Sequence, residues 1–271
     1  MKLFKRGYWE NNMKLVFDEI GSENEQTILF LHAGGISGWM WDEQVKYFKD
    51  YHCIIPDLLE HGRNADVKPF TILRAAELVR EIIGDCGKER VNLVGIGLGG
   101  QIVIKTMSKY PELVHHAMVS GTLVRSPRYK SLIKRLNQLL MVYAPVKNND
   151  FYIKAYMRTY NMPRAYFNMF KQSTSQIETS SIERFLKENH SFKLPKLPAT
   201  CESKLLVMAG EKDYSIIKHS TKEIMDNFQA KGAIALGGGH LWNMESPHNF
   251  NKVLDAWLQG EELPKTMIST L

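Results

Sequence analysis

The sequence predicts an α/β protein: a mostly parallel sheet of roughly eight strands with an inserted helical cap. Three observations carry this. Short apolar runs of strand length alternate with helical patterns over both ends of the 271-residue chain, as parallel strands joined by crossover helices require. Several of these runs stop at glycine-rich breaks. Between the two ends lies a stretch of about 80 residues with helical patterning and no strand-like run, too long to be a loop.

The elements follow in order. Residues 2–9 and 13–20 read as a hairpin about the turn Glu10-Asn11-Asn12. Residues 27–31 form a short buried strand that breaks at His32-Ala33-Gly34-Gly35. A helix is expected over about 39–50, and a strand over 53–55 closes at Pro56-Asp57. Thr71 suits the N-cap of a helix over 71–83. The core strand 91–94 runs into Gly95-Ile96-Gly97-Leu98-Gly99-Gly100 and then a helix, stopped by Pro111. Residues 117–120 are the next strand. The helical cap, 122–200, is expected after the fifth core strand. The core, 1–121 and 201–271, resumes with a strand at 204–209, a helix at 216–228, a short strand at 233–236 and a final helix at 241–258.

Composition narrows the class. Hydrophobic residues are 44% and charged residues 24%, which excludes a disordered or collagen-like chain. Cys53, Cys86 and Cys201 are too few and scattered for a disulfide framework or zinc knuckle, and are expected as reduced buried thiols. No apolar run approaches the ~20 residues of a membrane span. The first ten residues lack the apolar stretch of a secretory signal. A cytoplasmic location without stable membrane insertion is expected. Residues 122–171 hold ten basic side chains, Arg125 and Arg128 among them, and one acid, Asp150. A solvated helical surface is the favoured reading. No nucleic-acid motif accompanies the charge, so no nucleic-acid partner is expected.

Ligands of open parallel sheets bind at the carboxyl ends of the strands. The loops at 32–35, 95–100, 212–215 and 237–241 should therefore converge on one site beneath the cap. A strand, G-x-G-x-G and a helix make the sharp turn of a nucleophile elbow, whose central residue projects into the site. That residue is Gly97. The same glycine run has dinucleotide-binding spacing. It lies on the wrong strand for that use, and no acid follows at a strand end ~20 residues on. Without H-E-x-x-H or C-x-x-C, neither a metal nor a cofactor is expected.

Four segments together resemble the α/β-hydrolase superfamily, over nearly the whole chain, as a capped esterase- or lipase-like member. His32-Ala33-Gly34-Gly35 resembles the family's loop before the first helix, with Ala33 where glycine is usual. Pro56-Asp57-Leu58-Leu59-Glu60-His61-Gly62-Arg63 resembles its P-D-x-x-G-H-G-x stretch, with Glu60 in place of glycine. Residues 206–213 resemble the strand and turn that carry the acid, and Gly238-Gly239-His240 the loop that carries the base. The resemblance implies that Asp213 and His240 are the acid and base. Backbone N–H groups of Gly34 and Leu98 would form the oxyanion hole. His32 and His61 would shape turns, and the other histidines, His190 included, show no partner pattern. The implied activity is carboxylic ester hydrolysis through an acyl-enzyme, with no cofactor.

Gly97 departs from the pattern, since it stands where the family carries Ser, or sometimes Cys or Asp. Without that side chain the chain should be inactive or nearly so. Either activity was lost naturally, or the nucleophile of an ordinary hydrolase was substituted. The retained acid–base pair favours substitution. The alternatives are a pseudoenzyme or small-molecule receptor on the same pocket, and a related lyase or C–C hydrolase. Dehalogenase and epoxide-hydrolase chemistry would require Asp at the elbow. The cap's surplus of Met and aromatic residues suits a small-molecule substrate with an apolar acyl or aryl part. The candidate pocket residues are Gly35, Met141, Tyr156, Met157, Tyr160 and Trp242. The oligomeric state is open.

Overall fold

The computed structural model describes residues 4–10, 13–124 and 129–271. The expected turn at Asn11 and Asn12, and the basic residues Arg125 and Arg128, lie outside them.

Nine strands form one sheet: β1 (Phe4–Glu10), β2 (Met13–Ile20), β3 (Thr27–Leu31), β4 (His52–Pro56), β5 (Val91–Ile96), β6 (Val114–Ser120), β7 (Lys204–Gly210), β8 (Lys231–Ala235) and β9 (Ile268–Thr270). Their order is β1-β2-β4-β3-β5-β6-β7-β8-β9. β3 to β8 run parallel. The hairpin β1–β2 joins β4 antiparallel, and β9 closes the other edge antiparallel to β8. The ninth strand escaped the sequence reading because three residues carry too little periodicity.

Ten α-helices are described: α1 (Asp42–Tyr47), α2 (Ile72–Asp85), α3 (Leu98–Lys109), α4 (Tyr129–Tyr143), α5 (Asp150–Thr159), α6 (Phe167–Gln176), α7 (Thr179–Ser191), α8 (Ser215–Phe228), α9 (Trp242–Glu245) and α10 (Pro247–Leu258). Thr71 caps α2 as expected, its hydroxyl accepting from the Arg74 N–H at 3.0 Å. The helix expected over 39–50 begins as a 3₁₀ turn at Gly38–Trp41 and ends at Tyr47. The single helix expected over 241–258 is two. Pro247 forces Ser246 out of the helical region, to φ −140° and ψ 65°.

Strand alternation divides the core. Leu29, Leu31, Ile54 and Leu93 face α2 and α3. Ile28, Phe30, Ile55 and Val94 face the opposite layer with Trp41, Phe250 and Leu254. A sheet covered on both faces needs strands apolar on both sides, and β3, β4 and β5 are buried throughout. The helices α4 to α7 lie between β6 and β7, so the insertion follows the sixth strand of the chain rather than the fifth. Among the described residues, none between β6 and β7 is in a strand.

Cys53 is buried, but Cys86 and Cys201 are half-buried, against the expectation of three buried thiols; among the described residues none of the three is in a disulfide. Among the described residues, no helix is long and apolar enough to cross a membrane.

Candidate active site

The site is built at the carboxyl end of the sheet, beginning with the turn from β5 into α3. Gly97 holds φ 56° and ψ −113° there, a conformation open to glycine and strained for any residue with a Cβ. The turn is tight enough that a Cβ on Gly95 would stand 2.5 Å from the Gly99 backbone. A Cβ on Gly97 instead fits without a clash. Its nearest neighbours would be His240 Nε2 at 3.5 Å and the Ala33 methyl at 3.7 Å.

His240 reaches this point from the loop after β8. Its Nδ1–H donates to Asp213 Oδ1 at 2.9 Å. Asp213 sits in the turn after β7, its carboxylate 1% exposed against 23% for the imidazole. The second oxygen, Oδ2, accepts from the Gly210 N–H at 3.2 Å. The carboxylate thus fixes the ring's tautomer and leaves Nε2 facing Gly97, free to take or give a proton. Gly121, which sequence reasoning missed, makes room for the ring. A Cβ there would lie 2.7 Å from His240 Cε1.

Gly34 and Leu98 line the same space. Among the described residues, neither backbone N–H has a protein acceptor. Leu98 is also the first residue of α3, where the helix dipole favours negative charge. Two N–H groups beside an imidazole can steady a developing oxyanion.

A cavity of about 640 Å³ opens from this point under α4 to α7. Of the residues expected to line it, Gly35, Tyr156 and Tyr160 do. Tyr156 stacks on Phe170, ring centroids 5.1 Å apart, and Tyr160 lies 6.1 Å from the His240 ring. Three expectations fail. Met141 is 76% exposed, because Leu136, Leu140 and Tyr143 hold the inner stripe of α4. Met157, about 100° round α5 from Tyr156, is buried in the core with Met162 and Phe170. Trp242 is also core. Its Nε1–H donates to Ser120 Oγ at 2.9 Å and its ring packs on Phe250, while Leu241 takes the cavity wall. The sequence reading missed the face of α7 made by Ile182, Phe185, Leu186 and Asn189, with His190 beside it. The three- and four-residue spacing of these side chains was the available signal.

The two departures in the turn motifs have local accounts. Glu60 adopts φ 61°, which explains why glycine is usual there. Its fully buried carboxylate accepts from Arg184 of α7, Nε to Oε1 at 2.8 Å. Ala33 keeps its N–H on Met40 Sδ at 3.3 Å. His32 shapes its loop as expected: its Nε2 accepts from the Leu58 N–H, and its Nδ1–H donates to the Ala33 carbonyl. Burial lowers the pKa of His32 and takes His61 down to about 3.

Among the described residues, one group could hold a metal ion: Glu19, His52 and Cys86, with ligand atoms within 4.8 Å of one another. It lies at the amino end of β4, away from the cavity. His52 there already engages Glu19 at 2.9 Å and Thr27 at 3.1 Å.

Comparison with known proteins agrees with this architecture. Residues 28–253 match the Alpha/beta hydrolase family. The chain is 24% identical over 262 residues to an "AB hydrolase superfamily protein" of Gibberella zeae, covering 92% of this chain and 86% of that one. It is 26% identical over 251 residues to Lipase 1 of Psychrobacter immobilis, covering 86% and 77%. Among solved structures, a thermophilic esterase from Thermogutta terrifontis superposes with TM-score 0.75 at 18% identity, over 96% of this chain and 99% of that chain. With the profile match spanning most of its length, this chain belongs to the alpha/beta hydrolase family.

Proposed function

We propose that the cavity is a carboxylic ester site of the serine-hydrolase type, and that position 97 is its nucleophile position. One observation carries the reading. A side chain at 97 would start 3.5 Å from a His240 Nε2 whose other nitrogen is held by Asp213. That is the relation a nucleophile needs to its general base. His240 would accept the nucleophile's proton and return it to the leaving alcohol. Asp213 would stabilise the imidazolium, and the N–H groups of Gly34 and Leu98 the tetrahedral oxyanion. The apolar side chains of the cavity suit an acyl or aryl group.

With glycine at 97 the acyl-enzyme route is closed. The chain as it stands then binds esters and hydrolyses them weakly or not at all. Gly97→Ser should restore turnover of short aryl esters by at least about 10⁴-fold, because the members of such a set act as a unit. Adding His240→Ala should abolish the gain. A folded Gly97→Ser protein with no activity on a broad ester panel would refute the reading.

A further inference from the structure

The corner of the cap between α4 and α5 carries bare apolar side chains among basic ones. Met141 is 76%, Val142 72% and Phe151 82% exposed, the highest values of any large apolar side chain among the described residues. We propose that this corner docks on the surface of an anionic lipid membrane. Met141, Val142 and Phe151 enter the acyl boundary, and the Arg and Lys side chains of the same helices meet the headgroups.

The fold turns these side chains outward. α4 commits Leu136, Leu140 and Tyr143 to the cavity. The chain then turns at once: the Val146 and Lys147 N–H groups donate to the Tyr143 carbonyl at 3.0 and 2.9 Å. Asn149 caps α5, its Oδ1 accepting from the Phe151 N–H at 2.9 Å. The Tyr143 and Tyr152 rings meet 5.5 Å apart, so the end of α4 lies beside the start of α5. On α5, Ile153 and Met157 are buried, and Tyr156 and Tyr160 line the cavity. The opposite stripe, at three- and four-residue spacing, is Phe151, Lys154, Ala155 and Arg158, all exposed. On α4 the exposed Arg135 stands seven residues before Val142, about two turns away on the same side.

The charge on this face is positive and unmatched. Asp150, the one acid of residues 122–171, is taken by Lys171 at 2.6 Å. Lys154 lies over the Phe167 ring at 5.4 Å. Among the described residues, no carboxylate pairs with Arg135, Lys154, Arg158 or Arg164, and all four are exposed. A face built only for solvent would carry polar side chains at 141, 142 and 151. Nucleic acid would match the charge and leave the aliphatic groups without use. Apolar groups among cations suit an anionic bilayer, where both kinds of side chain add to the affinity. Val142 also lines the cavity, so the docking face is continuous with the cavity's rim. Contact through a few side chains is peripheral and reversible.

The test mixes the protein as it stands with sucrose-loaded vesicles and reads the bound fraction by sedimentation. The vesicles are phosphatidylcholine alone, or phosphatidylcholine with about 30% phosphatidylserine. At about 0.1 M salt the anionic vesicles should bind at least about tenfold more tightly than the neutral ones, and about 0.5 M salt should remove most of that difference. Met141→Gln/Phe151→Gln and, separately, Lys154→Gln/Arg158→Gln should each weaken binding to anionic vesicles by about tenfold. Melting temperatures should hold, because all four side chains are exposed. The lipid and salt dependence of the unaltered protein decides the matter by itself if a variant misfolds. No preference for anionic vesicles, or full binding by either folded variant, would overturn the proposal. So would capture of a random-sequence DNA duplex without vesicle binding, or a dimer that Met141→Gln/Phe151→Gln dissociates and that ignores vesicles. Sedimentation involves no ester binding or turnover, so its outcome and that of Gly97→Ser are independent.

Discussion

Glycine at position 97 holds φ 56° and ψ −113°, and a Cβ there would make only ordinary contacts, with His240 and Ala33. Strain and chemistry can therefore be separated at this one residue. Gly97→Ala and Gly97→Ser should each lose about 1–2 kcal/mol of stability to the strained backbone. Urea unfolding of both variants measures this, and an unchanged midpoint would show that the turn relaxes. Only the hydroxyl should bring activity. Asp213 and His240 are legible in the sequence because each follows a strand end in a fixed order. Gly121 is not, because the ring it makes room for arrives from more than a hundred residues away. The pocket methionines and tryptophan mislead for a related reason. Composition reveals that apolar side chains are present, whereas facing is decided by which stripe of each helix meets the sheet.

At the scale of the element, α7 joins the site to the scaffold. Phe185 packs at Gly34, and Arg184 pairs with the buried Glu60 of the loop after β4. Arg184→Met would strand that carboxylate and should cost up to about 3 kcal/mol, since breaking a buried pair leaves an uncompensated charge. The double variant Arg184→Met/Glu60→Gly should recover most of the loss, because it removes the charge and suits φ 61°. Equal stability of Arg184→Met and the unaltered protein in chemical denaturation would show that the pair does not fasten α7. The existence and type of the helices here follow from periodicity. Their attachment does not, because Glu60 and Arg184 are 124 residues apart in sequence.

At the scale of the molecule, the parallel sheet, its two covered faces and the convergence of loops at the carboxyl end are legible as a pattern. The edge strand β9 and the break at Ser246 rest on local detail that the pattern averages over. The whole fold should also respond to acid. His61 is held neutral down to about 3 against an ordinary 6.5, and the His32 pKa is lowered beside it. The unfolded chain protonates these rings near pH 6.5, so it binds more protons than the native state just below that pH. Stability should be full above pH 6.5 and fall by up to about 1.4 kcal/mol per pH unit on account of His61 as the pH drops toward 3, with His32 adding to the decline in the same direction. Denaturant midpoints at pH 7, 6 and 5 would show the decline, and a flat profile would mean the rings already carry charge in the folded protein. The most direct measurement of the account is covalent labelling of Gly97→Ser with an aryl phosphonate, followed by intact and peptide mass spectrometry. The account predicts one adduct, located at position 97, that disappears when His240→Ala is added. A folded Gly97→Ser protein that takes up no adduct, or takes it up equally without His240, would contradict it.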